Sequence, residues 1–244
     1  MPSLEWNTET WTTGYDWKNR GDEWSMGWGS PDAEWNFTLL PRIQRHLPAS
    51  TILEIAPGFG RWTSFLLKYC DKLIGVDLSW KCADACRERF ASETKASFHV
   101  NDGYSLAMVE EGSVDFAFSF DSLVHAEWDV VASYLRELAR VLKPEGSAFI
   151  HHSNVAALPI EHNMSGRAFT VSGEKVIAEC DRIGLFVAGQ ERANWNTDGL
   201  IDCMTTLTKA PADCVVVENH NFMAEAAQVA AIAQLYADPG EPLR

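Results

Sequence analysis

The stretch from Thr51 to Asp77, TILEIAPGFGRWTSFLLKYCDKLIGVD, limits the fold more tightly than any other part of the chain. Thr51-Ile52-Leu53-Glu54-Ile55 is short and mostly apolar, the composition of a strand buried on both faces of a parallel sheet. Ala56-Pro57-Gly58-Phe59-Gly60 supplies turn residues. From Gly60 onward, Trp62, Phe65, Leu66 and Tyr69 recur at helical spacing. Lys72 to Val76 resumes a strand pattern, and Asp77 closes it with an acid. Strand, glycine-bearing turn, helix and strand make half of a doubly wound α/β fold. In such sheets small cofactors bind beyond the carboxyl ends of the strands.

The rest of the chain repeats the alternation. Apolar stripes predict helices over Glu34 to Leu47, Trp80 to Phe90, Trp128 to Leu142, Ser172 to Ile183 and Asn221 to Tyr236. Strands are predicted at Ala96 to Val100, Ser113 to Phe120, Ser147 to His152, Phe186 to Arg192 and Ile201 to Thr208. Cys214 to Glu218 extends the last of these or adds another. Residues 153–170 read as an inserted loop, and 237–244 as a short tail. One α/β domain is therefore predicted over 48–244, behind an N-terminal segment, 1–47, that ends in a leading helix.

That segment differs in composition. It holds six of the ten tryptophans, at 6, 11, 17, 24, 28 and 35. No helical or strand period holds through WTTGYDWKNRGDEWSMGWGSP, so an irregular strap is predicted. Its aromatic content argues against disorder. The indoles either pack on the main domain or a partner subunit, or form a lid that offers ring faces to a flat or ring-shaped substrate. The two uses are compatible.

Charge narrows the partners. Twenty basic against 34 acidic side chains give a net −14. An acidic surface repels phosphate backbones and anionic lipid, so neither nucleic acid nor a membrane is the expected partner. No stretch approaches the roughly 20 apolar residues of a membrane span, and the N-terminus lacks signal-peptide features. Cys82 and Cys86 fall four apart, without the flanking ligands of a zinc site. The six scattered cysteines read as reduced thiols, which points to the cytoplasm.

A dinucleotide fold wants G-x-G-x-x-G, and the third glycine is absent here, with Arg61 and Trp62 following instead. Glu54 stands just before the loop, where it would repel a pyrophosphate but suit a cation. Glu54-Ile55-Ala56-Pro57-Gly58-Phe59-Gly60 resembles motif I of class I S-adenosylmethionine-dependent methyltransferases, with Ala56 in place of the family's first glycine. The resemblance continues through Asp77, through Asn101-Asp102-Gly103, through Ser113 to Asp121, and through Leu142-Lys143-Pro144-Glu145-Gly146. It implies a Rossmann-like sheet of seven strands. It also implies S-adenosylmethionine bound by Glu54, Ala56, Gly58, Gly60, Asp77, Asn101, Asp102, Gly103 and Phe120. In the family the acid matching Asp77 binds the ribose hydroxyls, and the segment matching 101–103 lines the adenine.

GDEWSMGWGS, SFDSLVHAE and IHHSN together resemble bacterial sugar O-methyltransferases, including those that act on mannose units of methylated polysaccharides. This implies a carbohydrate or other small hydroxylated acceptor, which an indole-rich lid would suit. Methyl transfer to an alcohol is an in-line displacement that needs an aligned oxygen and a proton acceptor. Asp121 and His125, just past the fourth strand, fit that position, as do His151 and His152 at the end of the fifth. Alternation sends those two histidines to opposite faces. His125 is the expected base and His152 the second candidate. Some sugar methyltransferases use Mg²⁺ to acidify the hydroxyl. Here Asp121 and Asp202 would be its oxygen ligands, with His152 a further ligand and Asp198 and Glu127 as alternatives. Competing readings are a C- or N-methyltransferase of a non-sugar metabolite, and a non-catalytic S-adenosylmethionine-binding module. The aromatic strap could also serve as a homo-oligomer interface.

Overall fold

The computed structural model describes residues 2–159 and 166–236; the predicted tail and part of the predicted inserted loop lie outside them. The strands are β1 (Ala49–Ile55), β2 (Cys70–Asp77), β3 (Ala96–Val100), β4 (Val114–Ser119), β5 (Leu142–Ser153), β6 (Phe186–Ala193), β7 (Asp202–Thr208) and β8 (Val215–Asn219). They form one sheet in the order β3-β2-β1-β4-β5-β7-β6-β8. The first five run parallel, β7 is antiparallel to β5 and β6, and β8 is parallel to β6. The sheet thus has eight strands rather than seven. Val215–Asn219 does not extend β7 but pairs with β6 from Gly189↔Val215 to Ala193↔Asn219.

The helices are α1 (Leu4–Glu9), α2 (Pro31–Glu34), α3 (Leu40–Ile43), α4 (Thr63–Leu66), α5 (Trp80–Arg89), α6 (Trp128–Val141), α7 (Gly173–Ile183) and α8 (Phe222–Tyr236). Side chains alternate across the sheet and fill two cores. Leu53, Ile55, Ile74 and Val76 meet Val131, Leu135 and Leu138 of α6 and Val176 of α7 on one face. Ile52, Leu73, Phe116, Phe118 and Phe149 meet Trp28, Trp35, Leu39, Phe65 and Phe222 on the other.

The N-terminal segment is helical, which its lack of a period did not predict. It runs through α1, a π-helical turn at Thr10–Gly14, a 3-10 stretch at Asp22–Trp28, α2, a second π-helical turn at Trp35–Leu39, and α3. Turns of three different pitches in succession scramble any single repeat. Serine caps mark the starts: Ser3 accepts from the Trp6 N–H and Ser30 from the Ala33 N–H.

The predicted helix at Gly60 is shortened to α4, followed by a 3-10 turn at Leu67–Tyr69. Gly60 has φ +81°, a left-handed conformation in which a helix cannot begin. A Cβ on Gly60 would lie 2.4 Å from Cε2 of Phe90 and 3.4 Å from Sγ of Cys86. Gly60→Ala should therefore lower stability by about 1–3 kcal/mol in a denaturant titration, through left-handed strain plus overlap.

Candidate active site

Strand order reverses direction between β1 and β4, and a cavity opens beyond the carboxyl ends of β1, β2 and β4. Its floor is Ala56, Pro57, Gly58, Asp77, Phe120 and Asp121; the strap roofs it with Leu4, Asn7, Trp11, Trp17 and Trp24. The tryptophans therefore divide their work. Trp28 and Trp35 are buried core, whereas Trp11, Trp17 and Trp24 wall the cavity.

The β1 turn brings backbone close to the cavity. Ala56 has φ +57° and Gly58 φ +58°, so this alanine keeps the left-handed turn that a glycine would make. A Cβ on Gly58 would stand 2.9 Å from the Trp17 ring, which stacks on Phe59 at 4.6 Å. Asp77 ends β2 with its carboxylate held at both oxygens: Gly58 N–H donates to Oδ2 at 3.0 Å, and Ser79 N–H to Oδ1 at 2.8 Å. Burial pushes its carboxyl up to about 7, against those two backbone donors. Ser79 also receives the Thr12 hydroxyl and donates to the Trp11 carbonyl, which ties strap to floor.

Several residues that the motifs single out sit behind the surface. Glu54 is buried, does not line the cavity, and accepts the Thr63 hydroxyl at 2.5 Å. Burial pushes it up to about 8, which favours the neutral form and sets it poorly to meet a cation. Gly60 serves packing against Phe90. Gly103 lines the cavity, while Asn101 and Asp102 order the loop around it. Asn101 donates to the Ser105 carbonyl and the Tyr134 hydroxyl and accepts from Gly103 N–H. Asp102 accepts from Tyr104 and Ser105 N–H, a turn-capping role.

On the β4 side, Phe120, Asp121 and His125 line the cavity. The Nδ1 of His125 lies 2.5 Å from the Gly166 carbonyl. A carbonyl only accepts, so Nδ1 carries the proton and Nε2 the lone pair. Nε2 has no partner among the described residues. Trp11 and Trp6 flank the ring at 5.2 and 6.4 Å, and Asn7 donates to the His125 carbonyl. Burial first, then the Arg167 charge, lowers the ring to about 4, so His125 is neutral at physiological pH.

Asp121 also has a left-handed φ, +59°. Its N–H donates to Nδ1 of His151 at 3.1 Å, and its carboxylate accepts from Arg61 at 3.0 Å. Arg61 also donates to the Ser25 hydroxyl, lies 3.6 Å from Glu34, and stacks 4.4 Å from the Trp62 ring. It thus pins the 3-10 stretch and α2 to the floor, and nothing in the sequence marked it.

His151 and His152 do point to opposite faces, but His151 is the one on the Asp121 side. His152 is wholly buried away from the cavity, with Nδ1 bonded to the Ser153 carbonyl and Nε2 to the Thr205 hydroxyl. Parity along β5 settled which one turned inward, and the end of the strand could not be placed to one residue from its pattern.

The suggested metal donors do not suit Mg²⁺. Arg167 holds Asp202 bidentately at 2.9 and 2.8 Å, Arg61 neutralises Asp121, and both nitrogens of His152 are engaged. Glu127 accepts from Phe169 and Thr170, and Asp198 does not line the cavity. Among the described residues no three metal-binding side chains converge.

Buried ionisable groups make stability depend on pH. Burial raises Glu34 and Glu54 to about 8, above their unfolded values, so the stability they allow below the unfolded pKa is lost as pH rises through 8. Half-buried His46 and His125 and buried His152, lowered to about 4 by desolvation of the ring, act in the opposite sense, with losses growing as pH falls through their unfolded value of 6.5. Between pH 7.5 and 8.5 only the carboxyls are changing among these groups. The melting temperature should therefore fall across that interval in a calorimetric series.

Residues 52–146 match the family model described as a methyltransferase domain. The match covers β1 to the start of β5, the part of the sheet that holds Asp77 and Asp121. Over 112 residues the chain is 33% identical to the biotin biosynthesis bifunctional protein BioHC of Cellvibrio japonicus, a match to 46% of this chain and 21% of that protein. The chain thus spans about a fifth of the length of that curated relative. Among solved structures it superposes on the PH0226 protein of Pyrococcus horikoshii with a TM-score of 0.58, at 20% identity over 82% of this chain and 95% of that one. It superposes on the N-methyltransferase NodS of Bradyrhizobium japonicum, in complex with S-adenosylhomocysteine, with a TM-score of 0.55, at 16% identity over 68% and 83%. It also superposes on a chain from the Haloferax volcanii complex of the Trm112 methyltransferase activator and a putative methyltransferase, with a TM-score of 0.56, at 19% identity over 78% and 97%. At such identities the likeness is one of fold. Among the described residues, no helix is long and apolar enough to cross a membrane.

Proposed function

We propose that this chain transfers a methyl group from S-adenosylmethionine to a hydroxyl of a sugar or similarly small hydroxylated acceptor. The cofactor supplies a methyl group activated on a sulfonium. Asp77 would accept the ribose hydroxyls: each of its oxygens takes one backbone N–H and keeps a second lone pair. The left-handed turn at Ala56 and Gly58 lets backbone approach the cofactor, and Leu78 and Gly103 would flank its base.

The observation that carries the reading is His125. It is a neutral imidazole in the cavity wall, with Nδ1–H committed to Gly166 and its Nε2 lone pair uncommitted among the described residues. That is the tautomer a proton acceptor for an alcohol must have. Trp11 and Trp24 supply broad apolar faces suited to the C–H faces of a sugar ring. The metal-assisted route is not carried forward, because its donors are committed to arginine and to hydrogen bonds.

The test is transfer of labelled methyl from S-adenosylmethionine to a panel of free and glycosidic sugars, run with Mg²⁺ and with EDTA. Sugar labelling that EDTA leaves unchanged is the expected result. Labelling of an amine acceptor and of no sugar would overturn the acceptor class. Tight S-adenosylhomocysteine binding without any turnover would instead favour a non-catalytic binding module.

A further inference from the structure

Gly166 and Arg167 were marked by no motif, yet they lie at the centre of the buried polar network behind the cavity. Arg167 is 8% exposed and Asp202 fully buried. Nε and one terminal nitrogen of Arg167 donate to the two oxygens of Asp202 at 2.9 and 2.8 Å, a fork-to-carboxylate pair that fixes both side chains in rotation. The guanidinium also lies over Trp195 at 5.6 Å, and the Trp195 ring meets His151 at a tilt, with centroids 5.2 Å apart. Asp202 begins β7, which is hydrogen-bonded to β5 along its length, so the anchor of this arginine is the sheet itself.

The neighbouring residue is the one that matters to the site. Gly166 has φ +82° and presents its carbonyl to His125 Nδ1. The loop has other anchors, but they act further along it. Ala168 N–H donates to the Val124 carbonyl at 2.8 Å, and the Ser153 hydroxyl to the Ala168 carbonyl at 2.7 Å. Both fix residue 168, whereas the Gly166 carbonyl belongs to the planar peptide that joins Gly166 to Arg167, the residue whose side chain Asp202 grips.

We propose that Arg167, clamped by Asp202, is a positioning residue that holds the Gly166 carbonyl against Nδ1 of His125 and so keeps the Nε2 lone pair available to the acceptor hydroxyl. This rests on the proposed role of His125, but the clamp itself is a statement about the imidazole tautomer and can be measured without turnover. The charged groups nearest the ring are Arg167, Asp121 and Asp202, its ring flanks are Trp6 and Trp11, and Asn7 holds its backbone carbonyl. None of these except the Gly166 carbonyl is a hydrogen-bond partner of the ring among the described residues.

The experiment is ring nitrogen NMR of His125, assigned by its loss in His125→Gln, in the wild type and two variants. Arg167→Lys keeps the charge but lacks the fork. The double variant Arg167→Met with Asp202→Leu removes both charges together and so leaves no unpaired buried ion, which keeps the fold testable. The wild type should show the Nδ1–H tautomer alone, and both variants a mixture in which Nε2–H appears. Once an acceptor is in hand, kcat should fall by up to about 100-fold in both variants, with affinity for S-adenosylhomocysteine within about twofold of wild type. A wild-type ring protonated at Nε2, or a tautomer ratio that neither variant changes, would overturn the clamp. Full activity in His125→Gln, beside the expected tautomer shifts, would leave the clamp standing and remove the proposed base.

Discussion

His125→Ala should lower kcat by about 100-fold, toward the lower end of what a positioned proton acceptor contributes, and leave S-adenosylhomocysteine affinity unchanged. The lower end follows from the environment of the ring. Burial first, and then Arg167, brings it to about 4, which guarantees the neutral form but weakens it as a base. A sulfonium-bound methyl group needs little assistance, and the imidazole mainly aligns the hydroxyl and takes its proton as the bond forms. For the same reason the His125-dependent part of the rate should be flat from pH 5 to 8, since a group already neutral at pH 5 gains nothing above it. Asn7 ties the strap to the His125 backbone carbonyl, so the substitution leaves that tie intact. Single-turnover rates across that pH interval, beside calorimetric binding of S-adenosylhomocysteine, check both statements. A rate that rises steeply between pH 6 and 7 in the wild type but not in the variant would show a higher ring pKa than this burial allows.

The floor of the cavity proposed for the cofactor was far more legible in the sequence than the side proposed for the acceptor, and the reason is local chemistry. Asp77, Gly58 and Gly103 are fixed by strand ends and tight turns within one continuous stretch each, and such turns leave a residue-level signature. Glu54 shows the limit of that signature. Its motif position was plain, but only packing reveals that it faces Thr63 and not the cavity. The His125 side of the cavity is assembled from segments more than a hundred residues apart in places, as where Asn7 meets His125. Arg61 and Arg167 join segments there through ion pairs to residues distant in sequence, and an arginine's partner is not written in its neighbours. The face assignment at His151 and His152 failed for a different reason. A two-residue period carries no memory of its phase once a strand boundary is off by one. The strap's aromatic richness was visible, yet its successive α, π and 3-10 turns erased the periodicity that would have announced helices.

Asp77→Asn should weaken S-adenosylhomocysteine binding by between about 10- and 150-fold and abolish the pH dependence of that binding. The carboxylate accepts Gly58 N–H at one oxygen and Ser79 N–H at the other. An amide can meet only one of those donors, so the other faces an NH₂ group, and one acceptor for the ribose is lost as well. A hydrogen bond to a charged acceptor contributes about 1.5–3 kcal/mol, which corresponds to that range of affinity. In the wild type, burial holds the free carboxyl near 7, and ribose hydroxyls donate best to the ionised form. Binding therefore favours loss of a proton. Affinity should rise as pH increases toward 7, by at most about tenfold per unit, and level off above it. The asparagine variant has no such proton to lose, and its affinity should stay constant across the same interval. Calorimetric titrations at pH 5.5, 6.5, 7.5 and 8.5 in buffers of differing ionisation enthalpy would read affinity and proton release together. Wild-type affinity that is flat over the series would mean that Asp77 is already ionised in the free protein. Unaltered affinity in the variant would place the cofactor's ribose elsewhere in the cavity.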